Sequence, residues 1–259
     1  MCGDAANPEQ VSALLSGAKY DLLLTDPPYN ANLKMLNDNF ECLQDYLDWY
    51  DSWFQIALQH AKESASFYLW GYDKTYCEIK VMLNKYEQLK LSNIIIWDKV
   101  CFGRTLPKFK SNKETCLFYK KGEPSFNNQK MKSRGSTEKQ FGKIADQFGN
   151  YVHTQYPNAV LNIFEGPCTD VWWDVPTNRG ASKERLDWHP TQKPQKLFDR
   201  SICASTNEND IVLDLFGGTG TTIRACESLN RTAYVMELDP NYCQKIAEAW
   251  QAKCLTSLF

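Results

Sequence analysis

The sequence predicts an α/β fold in which helices surround a mostly parallel β-sheet. Two observations lead to this prediction. Short apolar runs alternate along the chain with stretches of helical periodicity, and two of the apolar runs end in turn-forming motifs that carry polar side chains. The 259 residues suffice for one large domain or for a core with an inserted lobe. A content of 43% hydrophobic and 23% charged residues is typical of a globular protein.

Strands are predicted where a short apolar run is bounded by breakers, and helices where apolar residues recur at helical spacing. Residues 19–25 illustrate the strand signal, because Asp26 and two prolines stop the run KYDLLLT. The predicted strands comprise residues 19–25, 66–71, 92–97, 114–119, 210–216 and 232–238. The predicted helices comprise residues 43–65, 75–86, 195–205, 219–229 and 240–253.

The regular pattern weakens between residues 123 and 156, where polar residues are dispersed among a few aromatic ones. This change predicts an inserted lobe with a small core of its own. The predicted division is a first half of the core in residues 1–122, an insert in residues 123–187 and a second half of the core in residues 188–259. Within the insert, the pair Trp172-Trp173 favours core or hinge packing over a base-stacking platform.

Basic side chains are concentrated in one part of the chain. Residues 99–143 contain twelve basic and three acidic side chains, although the formal net charge of the chain is −2. Such a block is a candidate surface for a polyanion. A solvated loop of lysines is the alternative, and composition does not decide between the two.

Several other classes of protein are disfavoured. No apolar run approaches the roughly 20 residues of a membrane span, and the N-terminus lacks the pattern of a signal peptide. Ten cysteines without a Cys-x-x-Cys pair, together with three histidines, argue against a zinc cluster. We therefore expect a cytoplasmic protein with reduced thiols and no metal.

A glycine-rich loop, residues 216–220 (FGGTG), lies between a predicted strand and a predicted helix. Glycines allow a sharp turn and a close approach of a ligand, and the helix N-terminus offers N–H groups to an anion. Asp214 ends the strand, and Glu237 ends the next strand, where a carboxylate can accept hydrogen bonds from ribose. The pattern predicts a nucleoside-bearing ligand, with a plain tight turn as the alternative. Ile223 replaces the third glycine of the dinucleotide fingerprint.

A second motif, Asp26-Pro27-Pro28-Tyr29, follows the first predicted strand. The prolines hold the backbone extended and donate no N–H, so neighbouring carbonyls are free to accept. The Asp26 carboxylate adds an acceptor and Tyr29 adds an aromatic face. The motif therefore predicts a slot that binds a planar amino group.

These two motifs resemble those of the β class of DNA amino-methyltransferases, which use S-adenosylmethionine. Residues 189–194 (HPTQKP) and Gly3-Asp4 are similar to two further segments of that class. The four segments span essentially the whole chain, in a circularly permuted order with the catalytic motif first. The resemblance implies a Rossmann-like methyltransferase fold with a seven-stranded sheet and helices on both faces. It also implies that the insert recognises the target and that the flanking halves are catalytic and cofactor-binding.

The resemblance also implies roles for individual residues. The implied catalytic residues, which would hold the target base, are Asp26, Pro27, Pro28 and Tyr29. The implied residues of the S-adenosylmethionine site are Asp4, Asp26, Thr191, Lys193, Asp214, Phe216, Gly217, Gly218, Gly220, Thr221 and Glu237. No metal is implied, and S-adenosylhomocysteine would be the second product. Cytosine-C5 chemistry would require a nucleophile such as Cys168, but the amino-binding motif argues against it.

The implied substrate is double-stranded DNA with a base flipped out and stacked on Tyr29. Asp26 favours adenine N6 as the target, with cytosine N4, an inactive DNA-binding homologue and an RNA substrate as alternatives. Dimerisation is common in the class, and no nuclease segment is recognisable. The start of the chain close to Gly3-Asp4 favours a fragment of a longer protein or a compact phage or mobile-element enzyme. The candidate phosphate contacts are Arg104, Lys108, Lys110, Lys113, Lys130, Lys132 and Arg134.

Overall fold

A computed structural model describes residues 1–30, 39–72, 74–99, 111–132, 165–178 and 184–256. These residues form a seven-stranded sheet and a two-stranded ribbon, with helices on both faces of the larger sheet. The strands are β1 (Tyr20–Thr25), β2 (Ala61–Gly71), β3 (Leu89–Asp98), β4 (Lys113–Lys121), β5 (Lys130–Lys132), β6 (Glu165–Pro167), β7 (Val171–Trp172), β8 (Ile211–Asp214) and β9 (Thr232–Val235). The helices are α1 (Pro8–Leu15), α2 (Leu43–Gln59), α3 (Tyr76–Leu83), α4 (Gln195–Ser205), α5 (Thr221–Ser228) and α6 (Pro240–Thr256).

The strand directions bring most of the chain's functional motifs to one edge of the sheet. The strand order is β7-β3-β4-β2-β1-β8-β9, and β1 is parallel to both of its neighbours. Strand β4 runs antiparallel between β2 and β3, whereas β7 and β9 are parallel to the strands that they join. The predicted mostly parallel, seven-stranded sheet is confirmed. The carboxyl ends of β1, β2, β3, β8 and β9 therefore share an edge with the amino end of β4.

Each face of the sheet buries its own hydrophobic cluster, because successive side chains of a strand point to opposite faces. On β1, Leu23 packs with residues of α1, α2 and α3, whereas Leu22 and Leu24 pack with residues of α4 and α5. All three leucines have no exposed surface. Coverage of both faces is what a parallel sheet requires, and it explains why β1 is apolar almost throughout.

Most predicted elements are present, with differences at their ends. The helix predicted for residues 195–205 matches α4 residue for residue. The helix predicted for residues 43–65 was too long, since α2 ends at Gln59 and Ala61 already pairs with Tyr20 as the start of β2. This pairing, which depends on tertiary contacts, overrides the helical propensity of residues 61–65.

The glycine-rich loop is also longer than predicted. Strand β8 ends at Asp214 and helix α5 begins at Thr221, so Phe216 and Thr219 lie in the loop and not in the predicted strand and helix. Helix α1 was not predicted, although Asn7 followed by Pro8 is a helix-start signal. The Asn7 side chain accepts hydrogen bonds from the N–H groups of Glu9 and Gln10.

Part of the predicted insert joins the main sheet. Trp172 in β7 pairs next to β3, is 4% exposed and lies edge-on to Trp70, with ring centroids 6.1 Å apart. The packing role predicted for Trp172 is thereby confirmed. Residues 133–164 lie outside the described residues, and the predicted division at residues 122/123 and 187/188 stays a prediction. None of the helices described here is both long and apolar enough to cross a membrane.

A buried ion pair attaches the segment after β7 to α4. Both guanidinium NH groups of Arg200 donate to Asp174, at 2.9 and 2.7 Å, and each side chain is 6% exposed. The Arg200 guanidinium also stacks over Trp172, 5.1 Å from the ring centroid. Removal of the Asp174 carboxylate would leave the Arg200 charge buried without the anion that pairs with it.

We expect Asp174→Asn to lower the free energy of unfolding by about 3 kcal/mol, because it leaves the Arg200 charge uncompensated. Lys196→Met is the matched control, since Lys196 pairs with the same carboxylate but is 53% exposed. Its cost should stay within about 1 kcal/mol. Urea denaturation followed by circular dichroism measures both values, and equal values for the two variants would contradict the assignment.

Candidate active site

The candidate site lies where β1 and β8 meet at the shared edge of the sheet. From β1 the sheet order leads through β2, β4 and β3 in one direction, and through β8 and β9 in the other. Open α/β sheets bind ligands at such a switch point. The Thr25 hydroxyl donates to Asp214 Oδ1 at 2.9 Å across the two strands. Asp26 follows β1 directly, so the two predicted motifs are adjacent in space.

The glycine-rich loop is folded tightly against the end of β9. The Gly217 N–H donates to the Met236 carbonyl at 2.8 Å, and a Cβ on Gly217 would lie 2.5 Å from Val235 Cγ1. Gly218 and Gly220 have positive φ angles of 52° and 71°. These positions require glycine, so the loop can bring its backbone close to a ligand in front of α5.

Asp214 is used mainly to hold this loop. Its carboxylate is 1% exposed and accepts hydrogen bonds from the Thr25 hydroxyl, the Thr222 hydroxyl and the Phe216 N–H. Burial raises the pKa of Asp214 to about 6, although these hydrogen bonds partly offset the effect. The carboxylate lines the site, but its contacts point to a role in shaping the loop.

Glu237 connects the loop to the N-terminus. Its carboxylate accepts the N–H of Gly218 at 2.7 Å and the N–H of Asp239 at 2.9 Å. Its backbone pairs with Met1 and Gly3, which brings Asp4 to the same cavity. Burial raises the pKa of Glu237, and the N–H groups that it accepts partly offset this rise. The carboxylates of Asp4 and Glu237, both predicted for the nucleoside site, therefore line the same cavity.

Asp26 lies in a compact polar cluster. Lys193 Nζ is 2.6 Å from Asp26 Oδ2 and 2.9 Å from the Tyr29 hydroxyl, and that hydroxyl donates to Asp26 Oδ1. Burial raises the pKa of Asp26, and the Lys193 charge opposes the rise. The Tyr29 ring is parallel to the Tyr72 ring within 8°, with centroids 6.4 Å apart. The backbone after β1 is held by Tyr46, whose hydroxyl donates to the Pro28 carbonyl at 3.0 Å.

These groups line a cavity of about 310 Å³. All four predicted catalytic residues line it, and so do all the predicted cofactor residues except Gly220. Gly220 instead sets the turn that begins α5. The predicted residues that line the cavity are Asp4, Asp26, Pro27, Pro28, Tyr29, Thr191, Lys193, Asp214, Phe216, Gly217, Gly218, Thr221 and Glu237.

Sequence reasoning missed other residues of this cavity, notably His189, Asp239 and Tyr242. The His189 and Tyr242 rings lie 5.0 Å apart. Burial and, to a smaller extent, the Lys193 charge lower the pKa of His189 to about 4, so its ring is neutral at pH 7. His189 belonged to the HPTQKP motif and could have been chosen, whereas nothing in the sequence places Tyr242 of α6 beside it.

The other candidate residues lie elsewhere. Lys113 begins β4, and Lys130 and Lys132 lie on β5, while Arg104, Lys108, Lys110 and Arg134 are outside the described residues. Cys168 does not line the cavity, and burial raises the pKa of its thiol, which disfavours a nucleophilic thiolate. Within the described part of the chain, no group of three or more His, Cys, Asp or Glu side chains is placed to hold a metal ion.

The solved structure of M1.HpyAVI in complex with S-adenosylmethionine is similar in fold to this chain. The TM-score is 0.63 at 21% sequence identity, and the superposition covers 95% of this chain and 96% of M1.HpyAVI. This similarity concerns the fold and agrees with the Rossmann-like methyltransferase architecture that was predicted.

Sequence comparison extends the similarity. The chain is 30% identical over 241 residues to the type II methyltransferase M.BamHI of Bacillus amyloliquefaciens, which covers 90% of this chain and 53% of M.BamHI. It thus spans about half the length of that relative. It is 28% identical to the DNA adenine methyltransferase YhdJ of Escherichia coli (strain K12), over 86% of this chain and 73% of YhdJ. The N6/N4 methyltransferase family, described as DNA methylase, matches residues 20–248. Because this match includes both strand-end motifs, the chain belongs to the N6/N4 DNA methylase family.

Proposed function

We propose that this protein transfers the methyl group of S-adenosylmethionine to the N6 amino group of adenine in DNA. The observation that carries the proposal is the position of Asp26 in the same cavity as the glycine-rich loop. An acceptor for an amino group and a site for a nucleoside-bearing ligand therefore face one space. Methyl transfer to an amine requires that arrangement, because donor and acceptor atoms must approach in line.

The residues of the cavity fit S-adenosylmethionine by their chemistry. Glu237 would accept hydrogen bonds from the ribose hydroxyls, and Asp4 would contact the adenine. The backbone around Gly218, in the loop that precedes α5, would hold the amino-acid end of the cofactor. When bound, S-adenosylmethionine supplies a methyl group activated by the positive sulfonium.

The amino group of a base is a poor nucleophile, because its lone pair is delocalised into the ring. Asp26 and the Pro27 carbonyl would accept its two N–H hydrogens and draw the nitrogen toward tetrahedral geometry. Held in this way, the nitrogen would be in position to take the methyl group in line, and the electrons of the carbon–sulfur bond would go to sulfur to give S-adenosylhomocysteine. The fixed acceptors stabilise the positive charge that develops on nitrogen. The surplus proton passes to Asp26 and then to solvent. Tyr29 would stack on the base once its hydroxyl releases Asp26.

Adenine is proposed over cytosine because Asp26 begins the amino-binding motif, and Asp at this position goes more often with adenine in this class. Cytosine N4 is the second candidate, since the family covers both targets and the amine chemistry is the same. An inactive homologue is disfavoured because Asp26, Tyr29 and Glu237 all line the cavity. Double-stranded DNA is the proposed partner, and a homodimer stays a prediction.

We expect purified protein to form N6-methyladenine in unmethylated genomic DNA when S-adenosylmethionine is supplied. Digestion to nucleosides and mass spectrometry identify the product. Asp26→Ala should reduce the rate by at least about 10²-fold, because a fixed acceptor is lost, while the dissociation constant of S-adenosylmethionine changes little. Detection of N4-methylcytosine would identify cytosine as the target base, with the same mechanism of methyl transfer. A wild-type protein that binds the cofactor but yields neither product would refute the proposed activity on this DNA.

We expect Glu237→Gln to weaken S-adenosylmethionine binding by about tenfold or more, because a charged acceptor for the ribose is lost. Glu248→Gln is the control, since Glu248 pairs with Gln244 on an exposed face of α6. Isothermal titration calorimetry gives both dissociation constants. An unchanged dissociation constant for Glu237→Gln would show that Glu237 does not bind the cofactor.

We expect charge reversal of Lys130, Lys132 and Arg134 to weaken DNA binding and to flatten its salt dependence. If all three contact phosphates, the slope of log K against log salt should fall by about 3. The control variant reverses the charges of Lys62, Lys90 and Lys121, which lie at the edge of the sheet opposite the candidate active site. Fluorescence anisotropy at several salt concentrations measures the slopes. Equal slopes for the two triple variants would show that these three residues do not contact DNA and would favour the alternative of a solvated loop.

A further inference from the structure

Four charged side chains of alternating sign form a chain that ends at Asp26. Lys99 Nζ lies 2.6 Å from Glu114 Oε1, and Lys193 Nζ lies 3.0 Å from Glu114 Oε2. Lys193 Nζ then lies 2.6 Å from Asp26 Oδ2. The side chains of Lys193, Glu114 and Asp26 are 4%, 15% and 17% exposed. Neither Lys99 nor Glu114 belongs to the motifs that identify the site in sequence.

The antiparallel course of β4 explains how Glu114 reaches this position. Every neighbouring strand brings its carboxyl end to the site, whereas β4 brings its amino end. Glu114 is the second residue of β4 and lies opposite Trp97 of β3 in the strand register. Lys99 follows β3 and donates its backbone N–H to the Asn112 carbonyl at 2.6 Å. Both side chains are thus placed by strand pairing.

The ammonium group of Lys193 has three partners around it. It donates hydrogen bonds to Asp26 and to the Tyr29 hydroxyl, and it forms an ion pair with Glu114 Oε2 at 3.0 Å. A buried ammonium is stable only when such partners replace water. Burial by itself lowers the pKa of Lys193, but Asp26 and Glu114 together outweigh burial and raise it. His189 also faces Lys193 and is neutral at pH 7, so it adds no charge to the cluster.

Glu114 is itself ionised in this arrangement. Burial opposes its charge, but Lys193 and Lys99 outweigh burial and lower the pKa of Glu114. The negative charges of Asp26 and Glu114 then balance the positive charges of Lys193 and Lys99. Without the Glu114 charge, Lys193 would keep one of its two anionic partners and would face Lys99 without the anion that separates them. The pKa of Lys193 would then fall, and its ammonium would be held only by Asp26 and the Tyr29 hydroxyl.

We propose that Glu114 is a positioning residue for methyl transfer: it fixes the Lys193 ammonium against Asp26 Oδ2, so that Asp26 Oδ1 is presented to the amino group of the base. The proposal rests on the proposed function, because it needs Asp26 as the acceptor. Glu114 touches neither Asp26 nor a reacting atom and acts through Lys193. A buried ion pair that only stabilises the fold is the competing explanation.

The test compares Glu114→Gln with Glu63→Gln. Glu63 pairs with Lys121 at the opposite end of β4 but is 88% exposed, so its variant removes an equivalent charge pair without touching the site. We expect Glu114→Gln to reduce kcat on the order of 10²-fold, because the acceptor is no longer held in place, with little change in the KM for S-adenosylmethionine. Glu63→Gln should match the wild type in both constants.

A second readout does not depend on activity. Carbon-13 labelling of lysine side chains allows Lys193 to be titrated by NMR, with Lys193→Met identifying its signal. We expect Glu114→Gln to lower the pKa of Lys193, since one of its two anionic neighbours is gone. The basic limb of the pH–kcat profile should move to lower pH for the same reason. Glu114→Asp keeps the charge and should largely preserve the titration, so it is the matched control. If Glu114→Gln does not fold, Glu114→Ala removes the same charge, leaves room for water and is titrated in its place.

The outcomes separate the inference from the proposed function. A wild type that methylates DNA, with Glu114→Gln equal to it in kcat, would overturn the positioning role, whatever happens to stability. An unchanged Lys193 titration would overturn the coupling between Glu114 and Lys193. A wild type without methylated product would refute the proposed function, and the NMR titration would still decide whether Glu114 controls Lys193.

Discussion

The parallel pairing of β1 with β8 is the constraint on which the rest of this structure depends. The two strands are far apart in the sequence, yet they place Asp26 and Asp214 at one edge, joined by the hydrogen bond from Thr25 to Asp214. The glycine-rich loop and the amino-binding motif can share a cavity only because of this pairing. Since β1 is covered on both faces, a shift in its register would turn Leu22 and Leu23 toward the wrong clusters.

Buried charge imposes the second condition on the site. Asp26 accepts hydrogen bonds through both of its side-chain oxygens only when it is ionised, yet burial away from water raises its pKa. Lys193 opposes that rise, but a buried cation needs its own stabilisation, and Glu114 and Lys99 extend the alternation of charge toward the sheet. The opposite charges on its neighbours offset part of the cost of burying each charge, which favours the ionised form of Asp26 in this cluster.

The sequence allowed prediction of those parts whose signals are local. Helix α4, strand β1, the glycine-rich loop and the Asp26 motif were found because each carries its own breakers or glycines. Elsewhere the prediction failed, because the pairing of strands that are distant in the sequence leaves no local signal. The end of α2 was misplaced because Ala61 pairs with Tyr20, and Glu114 went unnoticed because nothing near it indicates that β4 runs antiparallel. Tyr242 was missed for the same reason, since only the docking of α6 brings it to His189.

The contact between Tyr29 and Asp26 bears on how a base could enter. In this structure the Tyr29 hydroxyl donates to Asp26 Oδ1, the oxygen that the amino group of a base would use. Entry of the base would exchange an O–H donor for an N–H donor, so Asp26 would keep its hydrogen bond throughout. The Tyr29 ring, released from that bond, would become available for stacking, which contributes about 1–3 kcal/mol per base. That gain is comparable with the few kcal/mol needed to flip a base from the duplex. The same tyrosine would therefore satisfy the buried carboxylate before binding and hold the base afterwards.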